Sequence, residues 1–367
     1  MKFRKITSFI LVAVLVVLLM YVVAELERRK SIPDEIRTDP SNIPTSISPT
    51  VITPAPSLQP IEVIEPSIYQ PQNGTITIVY NSDGIFVTQD TEESAPASDV
   101  MLSGTSETNF IHIIAEDNTH ARFVMQDLNL DASNTDQPAI LVTVEENSSV
   151  TLELDGSNNL KGGDYRAAIE KQGYGMLIIA DDTGIPGVLT AKGGSGGAAI
   201  GSGSRFDCDG ISITGGTIYA KGGAYAAGIG GGSHGSGYNI TISGNTIVHA
   251  EGGKYGSGIV GGSYGNGQKM LFTDNCQINA VASYTASGIG GGAYGRGNEI
   301  YAAENARITA VGGLRTSEYY AGAHIGNGGS DSSDGTTFSV DLSSLFSNGS
   351  VNGVEGSIPE SDSNVHT

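Results

Sequence analysis

The chain has 367 residues, including 52 glycines, 15 tyrosines and no tryptophan, and it carries 39 acidic against 19 basic side chains, a formal net charge of −20. So acidic a chain is not expected to bind nucleic acid, because that binding needs clustered lysine and arginine. The charge is compatible with calcium binding or with plain solubility.

Residues 1–30 are predicted to contain a membrane anchor. Basic residues at the start are followed by an uncharged apolar stretch over residues 6–24, and charged residues crowd positions 25–30. That length suits one membrane span. A cleaved signal peptide is the alternative, since Val22 and Ala24 could serve a signal peptidase. We expect a single-pass protein of the cell membrane with its C-terminal domain extracellular.

Three further segments are predicted to flank the main domain. Residues 31–72 are rich in proline, serine and threonine, and they are expected to form an extended, disordered stalk. Residues 73–100 are strand-like but lie outside the repeat that follows, so we interpret them as N-terminal cap strands. Residues 336–346 are predicted to cap the other end, and residues 347–367 to form a flexible tail.

Residues 101–335 repeat with a period of about 30 residues. A small residue recurs at Ala191, Ala220, Ala250, Ala280 and Ala310. An isoleucine column runs through Ile140, Ile169, Ile200, Ile229, Ile259, Ile289 and Ile325. Each period contains three short strand signals with glycine at the corners, and such strands satisfy their backbone by pairing with the copy in the next coil. The sequence therefore predicts an all-β, right-handed parallel β-helix of six or seven coils, with three strands per coil.

The segment from Ser98 to about Thr214 adds a cadence of variable loops, short strands and Ala-Ile pairs. Ile140, Ala168 with Ile169, and Ala199 with Ile200 fall on this cadence. In these residues the chain resembles the bacterial cell-surface carbohydrate-binding (pectin-binding, lyase-like) parallel β-helix family. The resemblance covers about a third of the chain, and it implies a polysaccharide partner. The central loops lack the acidic residues that such a family would use for calcium.

Aromatic residues recur in two columns of the repeat, beside glycines in the loops. The first column is Tyr225 and Tyr255, with Tyr165 and Tyr284 at or near it. The second column is His234, Tyr264 and Tyr294, at thirty-residue steps. Sugar rings stack on flat aromatic faces, so exposed columns of rings would suit a polymer. The alternative is that the rings pack on one another and stiffen the coil.

A short basic column runs through Lys161, Lys192 and Lys221 and ends at Glu251. These ammonium groups could meet the carboxylates of an acidic polysaccharide. The alternative is that they are solvated charges on an exposed turn. Lys192 and Lys221 are accordingly candidate ligand-binding residues.

Candidate metal ligands are the aspartate pairs Asp181/Asp182 and Asp207/Asp209, whose oxygens would suit calcium. Neither pair follows the EF-hand pattern or the calcium-binding nonapeptide pattern. A GxGxxG pattern at Gly230 arises from the repeat alone, and without a βαβ unit it does not predict nucleotide binding.

Catalysis would need several carboxylates brought together from neighbouring coils, with a basic residue beside them for a lyase. The one tight cluster of suitable types is Arg205, Asp207 and Asp209, and it lies in a single loop. We therefore expect non-catalytic recognition of a polysaccharide. A structural or adhesive surface rod is the first alternative, and a polysaccharide lyase or hydrolase is the second.

Overall fold

The structure is a computed structural model that describes residues 66–90, 95–97, 100–303, 305–315, 317–318, 320–336 and 350–352. The predicted anchor, the stalk up to residue 65 and all but the first residue of the predicted C-terminal cap lie outside these ranges. Within them, no helix has both the length and the apolar character needed to cross a membrane. The described residues all belong to one compact unit, Val63–Thr367.

The described chain consists of strands and a single 3-10 turn, Pro71–Asn73. The strands are β1 Ser67–Tyr69, β2 Ile76–Asn81, β3 Gly84–Gln89, β4 Ala95–Ala97, β5 Val100–Ser106, β6 Ile111–Ala115, β7 His120–Asp131, β8 Ile140–Val144, β9 Ser149–Lys161, β10 Ile169–Gln172, β11 Met176–Ala180, β12 Gly187–Lys192, β13 Ile200–Gly201, β14 Cys208–Ile213, β15 Thr217–Lys221, β16 Ile229–Gly230, β17 Gly237–Ile242, β18 Ile247–Glu251, β19 Ile259–Val260, β20 Gly267–Phe272, β21 Gln277–Val281, β22 Ile289–Gly290, β23 Gly297–Ala302, β24 Arg307–Val311, β25 Ile325–Gly326 and β26 Ser350–Asn352.

Strands that recur once per coil pair in parallel, so the fold is a parallel β-solenoid of about eight turns. The first stack runs from β2 through β6, β8, β10 and β13 to β25. The long strand β9 pairs with β11 through its first half and with β12 through its second half. From β9 onward the chain therefore makes two further stacks, one from β11 to β23 and one from β12 to β26. After β9 each coil has the predicted three strands, whereas in the coils of β7 and β9 one long strand takes the place of two.

The isoleucine column is confirmed and is longer than predicted. Each predicted isoleucine pairs with the next one in register, and all are buried. Ile111 pairs with Ile140, and Ile76 pairs with Ile111, which adds two further turns. The prediction of six or seven coils was therefore too low. Because like side chains stack at about 4.8 Å, the apolar core is one continuous column.

The N-terminal end combines repeat and cover. Strand β2 pairs in parallel with β6 and antiparallel with β3, which in turn pairs antiparallel with β4. The predicted cap thus contributes a strand to the repeat itself. The end of the predicted stalk also differs from expectation, because β1 pairs with β5. At the other end β26, within the predicted tail, pairs with β24.

The apolar core contains a buried charged residue, Lys171, on the first stack. This lysine follows Ile113 and Val142 in an inward column, and it is buried. Its Nζ donates to the backbone carbonyls of Gly173 (2.6 Å) and Asp209. Burial lowers the pKa of Lys171, although nearby negative groups oppose the shift. Beyond β10, which contains this residue, the strands of the first stack shorten from between four and six residues to two.

Candidate functional site

The basic column lies on the outer face of the third stack, at the end of each strand. Pairing places Asp131, Lys161, Lys192, Lys221 and Glu251 on five successive coils. The pairing confirms the column predicted from the sequence and adds one acidic residue, Asp131, at its start. Like charges stacked at this spacing repel, so the acids at both ends help to hold the column.

Ion pairs close both ends of this column. Lys161 Nζ lies 2.6 Å from a carboxylate oxygen of Asp131, and Lys221 Nζ lies 2.6 Å from one of Glu251. Burial raises the pKa of Asp131, but hydrogen bonds from Lys161 and Ser133 outweigh it and hold that pKa below its ordinary value. Lys192 stands between the pairs, is exposed, and makes no ion pair with any described residue.

A groove of about 660 Å³ runs beside the column, across the turns that lead from the third stack to the first. Its lining includes Lys161, Lys192, Lys221 and Lys254. The floor consists of paired glycines, one pair after each strand end. A Cβ at Gly223 would collide with the carbonyl oxygen of Gly194, so only glycine permits this close coil contact. The result is a smooth floor bordered by ammonium groups.

The far end of the groove is formed by Lys254 and Tyr284. The Lys254 ammonium lies 5.1 Å from the ring centroid of Tyr255 and 4.9 Å from that of Tyr284, within the range of cation–π attraction. A side-chain hydrogen bond with Tyr255 raises the pKa of Lys254. Lys254 is therefore a fourth cation of the groove, which the sequence interpretation did not single out.

The first aromatic column is confirmed for Tyr225 and Tyr255, whose rings stack at 5.5 Å with an interplanar angle of 14°. Tyr165 occupies the equivalent position two coils earlier, four residues after Lys161. The coil between Tyr165 and Tyr225 has Gly196 at this position. Tyr165 consequently has no ring partner in this column, and it is 61% exposed. Tyr284 lies one position earlier in the repeat than Tyr255, in the column of Lys254, and its ring is tilted by 37° to that of Tyr255.

The second aromatic column is confirmed in full. His234 and Tyr264 stack at 5.0 Å, and Tyr264 and Tyr294 stack at 4.8 Å, with interplanar angles of 12° and 6°. The three residues share a left-handed backbone conformation, with φ of 61°, 61° and 63°. The N–H of Ser263, just before Tyr264, donates to the carbonyl of Tyr225, so the two columns are neighbours along one edge of the solenoid.

Ring stacking determines which aromatic surfaces a ligand can reach. Tyr264 lies between His234 and Tyr294, so both of its faces are covered by the adjacent rings. Face-on stacking of a sugar is possible only at a ring without such a neighbour. For Tyr264, only the ring edges and the hydroxyl group are not covered by other rings, whereas His234 and Tyr294 each stack on a single ring. Tyr165 differs because its ring, which lies against Gly196, has no such aromatic neighbour.

A third aromatic pair was missed by the sequence interpretation. The rings of Tyr219 and His249 stack at 5.0 Å with an interplanar angle of 7°. Both stand on the outer face of the third stack, two residues before Lys221 and Glu251. The signal was present in the sequence, because these rings occupy the same strand position in consecutive coils. They extend the polar and aromatic surface to the other side of the lysine column.

Comparisons with protein-family models, with curated proteins and with solved structures found no match to this chain. The family resemblance suggested by residues 98–214 therefore stays a prediction. What the chain can bind has to be inferred from the geometry of its own residues.

The four candidate metal ligands point to different local partners. Asp181 accepts the N–H of Gly187 at 3.2 Å, and Asp182 lies 3.8 Å from the Arg122 guanidinium. Asp207 accepts the N–H of Ser236 at 2.7 Å, and Asp209 accepts the side-chain amide of Asn239 at 2.5 Å. In the part of the chain that the structure describes, no three histidine, cysteine, aspartate or glutamate side chains are grouped so that they could hold a metal ion.

Two carboxylates of β9, Glu153 and Asp155, bind partners on the neighbouring coils, and the sequence did not predict this group. Glu153 is fully buried, lies 2.7 Å from the Arg122 guanidinium, and accepts the backbone N–H groups of Asp182 and Thr183. Asp155 accepts the hydroxyl of Thr183. These bonds hold the turn after β11 against the preceding coil, so the group has a structural role that accounts for its buried charge.

Proposed function

We propose that this chain is a membrane-anchored, extracellular, non-catalytic protein that binds an acidic polysaccharide. In this proposal the solenoid is a right-handed β-helix, held outside the cell by residues 6–24. The observation that carries the proposal is the lysine-bordered groove with its glycine floor. In a chain with a net charge of −20, this groove is lined by four lysines against two acids, Asp164 and Glu251, so it is a local cationic site.

The groove suits an extended polymer better than a compact ligand. It crosses several coils, its floor has no side chains, and its ammonium groups recur once per coil. A linear chain of sugars with regularly spaced carboxylates could place one acid against each lysine, by charge-assisted hydrogen bonds. Lys192 is the best candidate for such a contact, because no described carboxylate already pairs with it.

The aromatic residues take a secondary role in this proposal. Tyr165 is the best placed for face-on stacking, and it follows Asp164, which lines the groove. Tyr225 and Tyr255 would contribute edges and hydroxyl groups from the turn beyond the groove. His234, Tyr264 and Tyr294 lie further along the same edge and would contribute in the same way.

A structural or adhesive surface rod is the second candidate. The observation that favours it is the stacking of rings on one another, which stiffens the coils without any ligand. A rod of this kind needs the glycines for close packing of its coils, but it does not need a row of lysines beside them. The two candidates can therefore be separated by a binding experiment.

The test is retention of the full-length protein, in detergent, on immobilised polygalacturonate and alginate, with neutral dextran as the control. Each column is run with calcium and with chelator. Retention on an acidic polymer without its cleavage supports the proposal, and loss of retention in chelator would assign a role to calcium. If neither acidic polymer retains the protein in either condition, the proposal is wrong and the rod becomes the leading account. Product release would indicate the lyase or hydrolase alternative.

A further inference from the structure

We infer that the groove is a bounded trough that accepts a polysaccharide segment of limited length, about five coil spacings. This inference rests on the proposed function and adds a length limit to it.

The floor is glycine in four consecutive coils and is closed by side chains in the coils on either side. In these four coils, the two residues directly after the strand end are both glycine. They are residues 162–163, 193–194, 222–223 and 252–253. The equivalent residues before and after them are Ala132–Ser133 and Ala282–Ser283. Ser133 and Ser283 are both exposed and both line the groove. The change from glycine to serine therefore marks both ends of the smooth floor.

The charged border has similar limits. The lysine column begins at Lys161, which pairs with Asp131, and ends at Lys221, which pairs with Glu251. An acid therefore stands at each end of the column. The next residues in the column are Val281 and Val311, which are apolar. Cationic contacts are thus confined to the coils above the glycine floor.

The coil that follows cannot continue the trough in the same form. In the coil of Lys221, the chain takes eight residues to pass from the strand end to Ile229 of the core column. In the coil of Val311, the same connection to Ile325 takes 14 residues. The extra residues follow Gly313, and within them Arg315 stacks on Tyr320 at 4.0 Å and lies 3.8 Å from Asp334. Tyr284 stands at the junction and is 38% exposed.

The length of the trough follows from the coil spacing. Ser133 and Ser283 are separated by five coils, or about 24 Å at roughly 4.8 Å per coil. The four lysines lie on four successive coils and span about 14 Å of this length, so a ligand shorter than that leaves some lysines without partners. A ligand longer than the trough gains no further contacts. Affinity should therefore rise with oligosaccharide length and then become constant.

The experiment is calorimetric titration of the full-length protein with α-1,4-linked galacturonate oligomers, from dimer to decamer. We expect the affinity to rise by about tenfold or more up to the oligomer that spans the trough, and to stay constant beyond it. A Ser283→Gly/Tyr284→Ala variant, which opens the far end, should move the plateau to longer oligomers. Tyr301→Ala is the matched control, since Tyr301 is exposed on the second stack, and it should leave the plateau unchanged.

The outcomes separate the two proposals. If no oligomer binds, and the acidic polymers fail as well, the proposed function is wrong and this inference falls with it. If binding occurs but affinity keeps rising through the decamer, or is the same for every length, the trough is not bounded and only this inference is wrong. All the altered residues are exposed, so circular dichroism should show unchanged folding in each variant.

Discussion

Lys192→Met offers the sharpest test of the groove, because it removes a charge and keeps most of the side-chain volume. Lys192 is exposed, so its attraction to a ligand carboxylate at about 4 Å is worth roughly 1 kcal/mol in water. That corresponds to about a fivefold increase in Kd for an acidic polysaccharide. The loss should shrink at 1 M salt, where the screening length falls to about 3 Å.

Lys221 provides the comparison, because its charge is already balanced. The Lys221–Glu251 pair is neutral as a whole, so Lys221→Met leaves a bare carboxylate beside the ligand. We expect a loss of about fivefold again, this time from repulsion. The double variant Lys221→Met/Glu251→Gln removes both charges, so it should lose the hydrogen bond from Lys221 but not suffer the repulsion, and it should bind more tightly than Lys221→Met.

The assay is calorimetric titration with polygalacturonate at low and high salt, with melting curves to check folding. Lys269→Met is the matched control: this exposed lysine on the second stack lies outside the groove, and its loss changes the net charge equally. If Lys192→Met binds as tightly as the unmodified chain, or if Lys269→Met weakens binding equally, local recognition by the lysine column is refuted.

Four further predictions concern stability and thiol chemistry. Ile229→Ala should cost about 2–5 kcal/mol of unfolding free energy in urea titrations, because the side chain is fully buried; a loss below about 0.5 kcal/mol would contradict a continuous core. Glu153→Gln should cost about 1–3 kcal/mol in the same assay, since it removes the charge of a buried carboxylate that pairs with Arg122. The lowered pKa of Asp131 means that its ion pair stabilises the fold, by less than about 1 kcal/mol, above the ordinary aspartate pKa of about 3.9. This contribution disappears as the pH falls through the lower, folded pKa, so Asp131→Asn should destabilise the protein at about pH 6 and progressively less as the pH falls below the ordinary aspartate pKa. Burial raises the pKa of Cys208 to about 12 and that of Cys276 to about 11, so neither should react with a thiol reagent at about pH 8 until urea unfolds the chain.

The repeat could be predicted from the sequence because a solenoid translates sequence columns directly into spatial columns. Pairing of Ala191 with Ala220 and of Ile200 with Ile229 follows from their spacing alone. The turn that begins at Ile76 was missed because it takes 35 residues to reach Ile111, a step that breaks the thirty-residue period. Local strand pairing, rather than periodicity, places that strand in the stack.

The candidate site could be predicted in position but not in orientation. The register of Lys161, Lys192 and Lys221 was evident from the sequence, as was the shared column of Tyr264 and Tyr294. A column specifies the height of each residue along the rod, whereas the tilt of a ring depends on side-chain rotamers and on neighbouring rings. For that reason the mutual covering of the ring faces emerged only from the structure.

The glycine pairs on the groove floor have a consequence for how such a protein can change over time. Each pair is required by the carbonyl group of the coil beneath it, so the unit that can be gained or lost without damage is a whole coil of about 30 residues. Duplication of one such unit by unequal recombination would lengthen the floor by one step and add one more column position. The groove would thus lengthen in discrete increments, whereas a single-residue insertion would disturb every coil contact above it.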